Sequence, residues 1–128
     1  MVSTMFRLSA LLGLVGMGLG IAMGIKQDFA LAPAHAHLNL LGFVALFLAA
    51  LYYRAVPEAA ASLLAKIQGV LAMLGAVLFP AGIACVTLGD HQRFLPVVVA
   101  GSLIVFIAMA LFAVIVFWTS GTRQGAQP

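Results

Sequence analysis

Charge is what this sequence has least of. Of its 128 residues six are Lys or Arg and three are Asp or Glu, 7% in all. So few charges cannot clothe a soluble domain, and 65% apolar residues with a mean hydropathy of +1.22 are the composition of an integral membrane protein. The three acidic residues, Asp28, Glu58 and Asp90, are too few for paired-carboxylate catalysis, and a net charge of +3 spread over single sites makes no nucleic-acid surface. Cysteine is nearly absent as well. Cys85 stands alone, so the chain cannot form an internal disulfide or a four-cysteine metal site, and inside an apolar run it reads as a small packing residue. No glycine loop has phosphate-binding spacing. Ser3, Ser9, Ser62, Ser102 and Ser120 lack any neighbouring base, which leaves hydrolytic and transferase chemistry without a carrier.

What is present is four long apolar runs. They predict helices over about 6–25, 34–54, 62–88 and 95–118, in a single transmembrane domain. Short polar links join them, so the expected fold is all-α, a four-helix up-down-up-down bundle. The first run, Leu8 to Ile25, carries no charge over 18 residues. Ala30-Leu31-Ala32 has the small-residue pattern of a signal-peptide cut, but the uncharged core is longer than a usual signal core and Pro33 would follow the cut directly; a retained helix is expected. Gly16, Gly20 and Gly24 recur every fourth residue beside Gly13, leaving a face that another helix or a flat ligand can approach closely. Pro57 stops the second helix, and Pro80 is expected to kink the third. Gln68, close to Lys66, reads as interfacial, Gly89 to Arg93 as a tight polar turn, and Thr119 to Pro128 as a frayed polar tail behind the interfacial Trp118.

The basic residues set an orientation. With the N-terminus inside, Arg7, Arg54, Lys66 and Arg123 are cytoplasmic and only Lys26 and Arg93 lie outside. The expectation is a multi-pass protein of the inner, cytoplasmic membrane with both termini in the cytoplasm. His35, His37 and His91, the only histidines, then fall together on the outer side with Asp28 and Asp90.

Imidazoles at a membrane helix end are a functional hypothesis by default. At 100° per residue, His35 and His37 point about 200° apart, so they cannot chelate one ion as an i, i+4 pair does. Along the His35 face follow Asn39, Gly42, Ala45 and Ala49, low and flat; along the His37 face follow Leu41, Val44, Leu48 and Leu51, a bulky apolar wall. A flat macrocycle held by an imidazole suits the first face.

The stretch from Ala34, AHAHLNLLGFVALFLAALYYRAVP, resembles the histidine-pair helix of subunit I of the haem–copper oxidase and nitric-oxide reductase superfamily. Ala34, His35, His37, Gly42, Tyr52 or Tyr53, and Pro57 carry the likeness. It implies that His35 and His37 are each an axial haem ligand, on haems toward the outer side of the membrane. Asn39, Gly42 and Arg93 join them as candidate cofactor contacts. The family's subunit has many more helices than four, and this chain has neither its copper-binding histidines nor its cross-linked tyrosine, so it cannot build an oxygen-reducing binuclear centre alone. The missing second ligands would come from His91 or from another copy of the chain; Met17, Met23 and Met73 read as packing.

Three functions remain open. The first is a b-type haem protein of the membrane, with non-covalent haem because there is no CxxCH, working in electron transfer or haem binding. The second is an outer-face copper or zinc site using His35 or His37, His91 and Asp90. The third is a non-catalytic subunit that stabilises a respiratory complex. The expected partners are membrane lipid, further copies of the chain or respiratory-complex subunits, and no nucleic acid.

Overall fold

A computed structural model describes residues 1–124, with side chains up to residue 120. Every regular element is helical: α1 Val2–Lys26, α2 Ala32–Ala55, α3 Pro57–Ala61, α4 Leu63–Leu88 and α5 His91–Gln124. Among the described residues, α1, α2, α4 and α5 as far as Ser120 are long and apolar enough to cross a membrane. The Arg123 side chain and the last four residues of the expected tail lie outside the described residues.

The boundaries follow from local chemistry. Gln27 takes a left-handed conformation (φ 52°) and returns its N–H to Met23 O, which closes α1 behind Lys26. Pro33 sits in the first turn of α2, where its missing N–H costs nothing. Pro57 forces Val56 out of the helical region (φ −127°, ψ 74°), ending α2 and starting α3 in what the sequence predicts as loop. Ser62 then turns extended (ψ 149°) and caps α4, its hydroxyl accepting from Ala65 N–H at 3.1 Å.

The last helix starts earlier and ends later than expected. Asp90 accepts from the N–H groups of Gln92 at 3.0 Å and Arg93 at 3.3 Å, so His91, Gln92 and Arg93 belong to α5 and the polar turn shrinks to Gly89-Asp90. Residues from Thr119 to Gln124 continue the helix. α4 stays one helix through Pro80, which is buried. Cys85 departs from the packing expectation: it is exposed.

Two helix pairs make close contact through glycine. On α1, a Cβ added at Gly13, Gly16 or Gly20 would meet Phe43, Asn39 or His35 of α2 within 3.0 Å. On α4 and α5, Gly75 faces Val105, Gly101 faces the Phe79 backbone, and Gly82 faces Val98. The core of large buried side chains lies at the opposite end from His35: Met5, Leu46 and Tyr53 are almost wholly inaccessible, joined by Ala50, Ala65 and Ile115. Phe112 packs edge-on against Tyr52 and Tyr53, with centroids 5.3 and 6.0 Å away. The outside of the bundle is apolar; Ile25, Phe106 and Phe117 are each more than 70% exposed. Such a surface is matched to a non-aqueous surrounding.

Candidate functional site

α2 is not a uniform helix. Leu38–Ala45 form a π-helical segment immediately after the two histidines. The side chain of Asn39 bonds at its start. Its Nδ2 donates to His35 O at 2.9 Å, the carbonyl that the Asn39 N–H would take in an α-helix and that the Leu38 N–H also reaches. π segments inside α-helices are frequent at functional sites.

His35 faces α1. Its Nδ1 lies 2.8 Å from Gly16 O and 3.2 Å from Asn39 Nδ2. One ring nitrogen cannot donate and accept at once, and a carbonyl can only accept. Nδ1 therefore carries the proton and donates to Gly16 O, while Asn39 is satisfied at His35 O. The ring packs over bare backbone, since a Cβ at Gly20 would stand 2.7 Å from its Cε1. The small-residue face expected to be open for a flat ligand is thus covered by α1: Gly16 meets Asn39, and a Cβ at Gly42 would be 3.1 Å from Leu12 Cβ.

His37 lies on the other flank. Its Nδ1 is 2.8 Å from Pro33 O, and the ring meets Phe79 of α4 edge-on, 4.8 Å between centroids at 73°. Pro33 O can only accept, so here too Nδ1 is the protonated nitrogen. In both histidines a main-chain carbonyl fixes the tautomer and leaves Nε2 with its lone pair. That is the state a ligating imidazole takes, its other nitrogen held by a second hydrogen bond.

The remaining candidates do not join them. His91 is exposed at the first position of α5. Arg93 stacks over the adjacent Phe94, 5.9 Å from guanidinium carbon to ring centroid. Asp90 is engaged in capping, and Asp28 Oδ1 accepts from Ala30 N–H at 3.0 Å in the α1–α2 turn. Among the described residues no three of His, Cys, Asp and Glu come close enough to hold a metal ion, so His35, His37, His91 and Asp90 do not assemble the copper or zinc site that the sequence allows.

For haem, the donor chemistry fits at both imidazoles, whereas a macrocycle reaches His35 only by displacing α1. His37, half-buried at the α2–α4 contact, is not covered by that helix.

Gln68 departs from the sequence expectation. It is not interfacial but 3% exposed, and its Oε1 accepts from Tyr53 O–H at 2.9 Å. It also forms part of the wall of a cavity of about 260 Å³ between α2, α4 and α5, in which every other lining side chain is apolar. The only advance signal was an amide in an otherwise apolar run, which helix-end position explained just as well. No protein-family model, curated protein or solved structure matches this chain.

Proposed function

We propose that the chain is a multi-pass membrane protein that binds b-type haem through the Nε2 atoms of its histidine pair, His37 first, and serves in electron transfer or haem binding. The observation that carries this reading is that Nδ1 of each imidazole is tied to a main-chain carbonyl, Gly16 O for His35 and Pro33 O for His37, which in the neutral ring leaves each Nε2 a lone pair, at His37 outside the cover of α1. The likeness of Ala34 to Pro57 to the histidine-pair helix of oxidase subunit I supports haem as the group, and bound haem supplies a reversible one-electron couple.

The bundle inserts as up-down-up-down. The glycine contacts support this, because positions rise along α1 (13, 16, 20) as they fall along α2 (43, 39, 35), and likewise along α4 and α5. The basic residues then place both termini in the cytoplasm and the histidines on the outer side of the inner membrane. Because no three His, Cys, Asp or Glu side chains come together among the described residues, a second copy or a respiratory-complex subunit completes the coordination in this reading. Asn39 and Gly42 act indirectly, by seating α1 against the His35 face.

The test is the visible spectrum of protein purified in detergent from haem-replete membranes. A Soret band with α and β bands on reduction is expected. His37→Ala should remove most of the bound haem, and His35→Ala should alter the spectrum and loosen α1. Colourless protein with stoichiometric copper or zinc would move the assignment to a metal site, and neither signal would make the chain a non-catalytic stabilising subunit. Unchanged spectra in both variants would falsify ligation by this pair.

A further inference from the structure

The cavity between α2, α4 and α5 is lined by neither histidine. Its floor is made of small buried residues, Ala49, Ala76 and Ala108, and its rim of exposed Leu40, Leu48 and Met109, so it opens sideways on the apolar surface of the bundle. Along α4 its lining runs from Gln68 to Ala76, a length of about 12 Å at the α-helical rise. It is a slot parallel to the helices, with one polar end.

That polar end is unfinished. Tyr53 O–H has no other acceptor, so it donates to Gln68 Oε1, and this fixes which way the amide points. Gln68 Nε2 then has two N–H groups and donates to no described protein group; since no fully buried side-chain N or O among the described residues lacks a partner, its small accessible remainder, 3% of the residue, opens into the slot that it lines. An amide donor in apolar surroundings with nothing to bond is costly, and a ligand that brings an acceptor relieves it.

From this we infer that the slot binds a lipid-soluble molecule with a carbonyl at its buried end, the carbonyl accepting from Gln68 Nε2 and the apolar body lying along Ala72 and Ala76. The polar end lies two residues from exposed Lys66, near the end of the span, and the apolar end runs toward its middle. Two kinds of membrane molecule have that polarity: an isoprenoid quinone, through a ring carbonyl, and an acyl-ester lipid, through its ester.

The test uses full-length ¹⁵N- and alanine-methyl-labelled protein in dodecyl maltoside, which has no carbonyl. The probes are decyl-benzoquinone in one titration and dihexanoyl phosphatidylcholine in the other. A saturable shift of the Gln68 side-chain amide together with the Ala72 and Ala108 methyls is expected with at least one probe. A response to the quinone alone assigns a quinone, to the phospholipid alone an ester lipid, and to both a general carbonyl site. The double variant Gln68→Leu/Tyr53→Phe removes donor and partner together, and should weaken binding about tenfold, the worth of one buried hydrogen bond. Ala72→Leu fills the slot while sparing the Tyr53–Gln68 pair, and should abolish the methyl shifts even if the double variant does not fold. No shift with either probe, or affinity unchanged in a folded double variant or in Ala72→Leu, overturns the assignment.

Discussion

Gly16 and Gly24 are the same residue on the same helix, at the same four-residue spacing from Gly20, yet their surroundings are opposite. A Cβ at Gly16 would stand 2.5 Å from Asn39 Oδ1, whereas a Cβ at Gly24 would meet nothing within 4 Å. Gly16→Ala is therefore expected to push Asn39 aside, strain the His35–Gly16 hydrogen bond and destabilise the protein by about 1–3 kcal/mol, as overpacking of a fitted contact does. Gly20→Ala, facing His35 Cε1 at 2.7 Å, should behave alike. Gly24→Ala should be neutral or gain about 0.5–1 kcal/mol from helix propensity. Thermal unfolding of the three variants in detergent checks the contrast, and equal shifts in all of them would show that the glycine face is not what seats α1. The spacing in the sequence exposes the stripe but not where it ends. Gly24 continues the pattern one turn past the start of α2, and only the position of the Ala32–Ala55 helix shows that nothing is left there for it to meet.

At the scale of the element, the π segment is the feature that spacing could not announce. A strict 100° per residue places His35, Asn39 and Gly42 on one stripe, and the contacts of Gly16, Gly20 and Gly42 bear that out. It does not reveal that the Asn39 side chain bonds to the His35 carbonyl, because that depends on a rotamer rather than on residue type. Asn39→Leu is expected to return that carbonyl to the Asn39 amide and let Leu38–Ala45 contract to an α-helix. Hydrogen exchange of the amides in that segment should slow, while exchange in the middle of α4 stays as it was. Exchange unchanged across Leu38–Ala45 would separate the π turn from Asn39. The other departures have similar local origins. Pro57 and Ser62 enclose five helical residues where a loop was expected, and the Asp90 carboxylate starts α5 four residues early by capping it.

At the scale of the whole molecule, the two ends of the bundle differ in construction. The end bearing Tyr53, Met5 and Ala65 holds the buried core; the end bearing the histidines is held by glycine contacts, caps and turns. The four long apolar helices could be read from length and hydropathy, because uninterrupted apolar runs of that length leave few other structures open. The buried Tyr53–Gln68 pair could not, because whether a glutamine near a helix end faces water or the core is decided by which neighbour it meets.

The proposed orientation rests on where the basic residues fall. Arg54 and Lys66 flank the α2–α4 connection, with Arg7 and Arg123 toward the chain termini at the same end, whereas only Lys26 and Arg93 sit beside the two connections at the other end. In the orientation proposed above, that excess of basic residues draws the first end to the cytoplasm. In a Cys85→Ser background, cysteines introduced at Gln27 and Gln92, both exposed in the histidine-end connections, should react with a membrane-impermeant maleimide in intact spheroplasts. One introduced at Ala61, exposed in the short helix between α2 and α4, should react only after permeabilisation. The reverse pattern would put the histidines in the cytoplasm. Labelling of all three in intact spheroplasts would mean that the chain does not cross the membrane four times. Gln27 and Gln92 belong to different connections, so labelling of only one would break the up-down order of a particular helix pair, α1 with α2 or α4 with α5. The three positions thus test the orientation and the path of each hairpin separately.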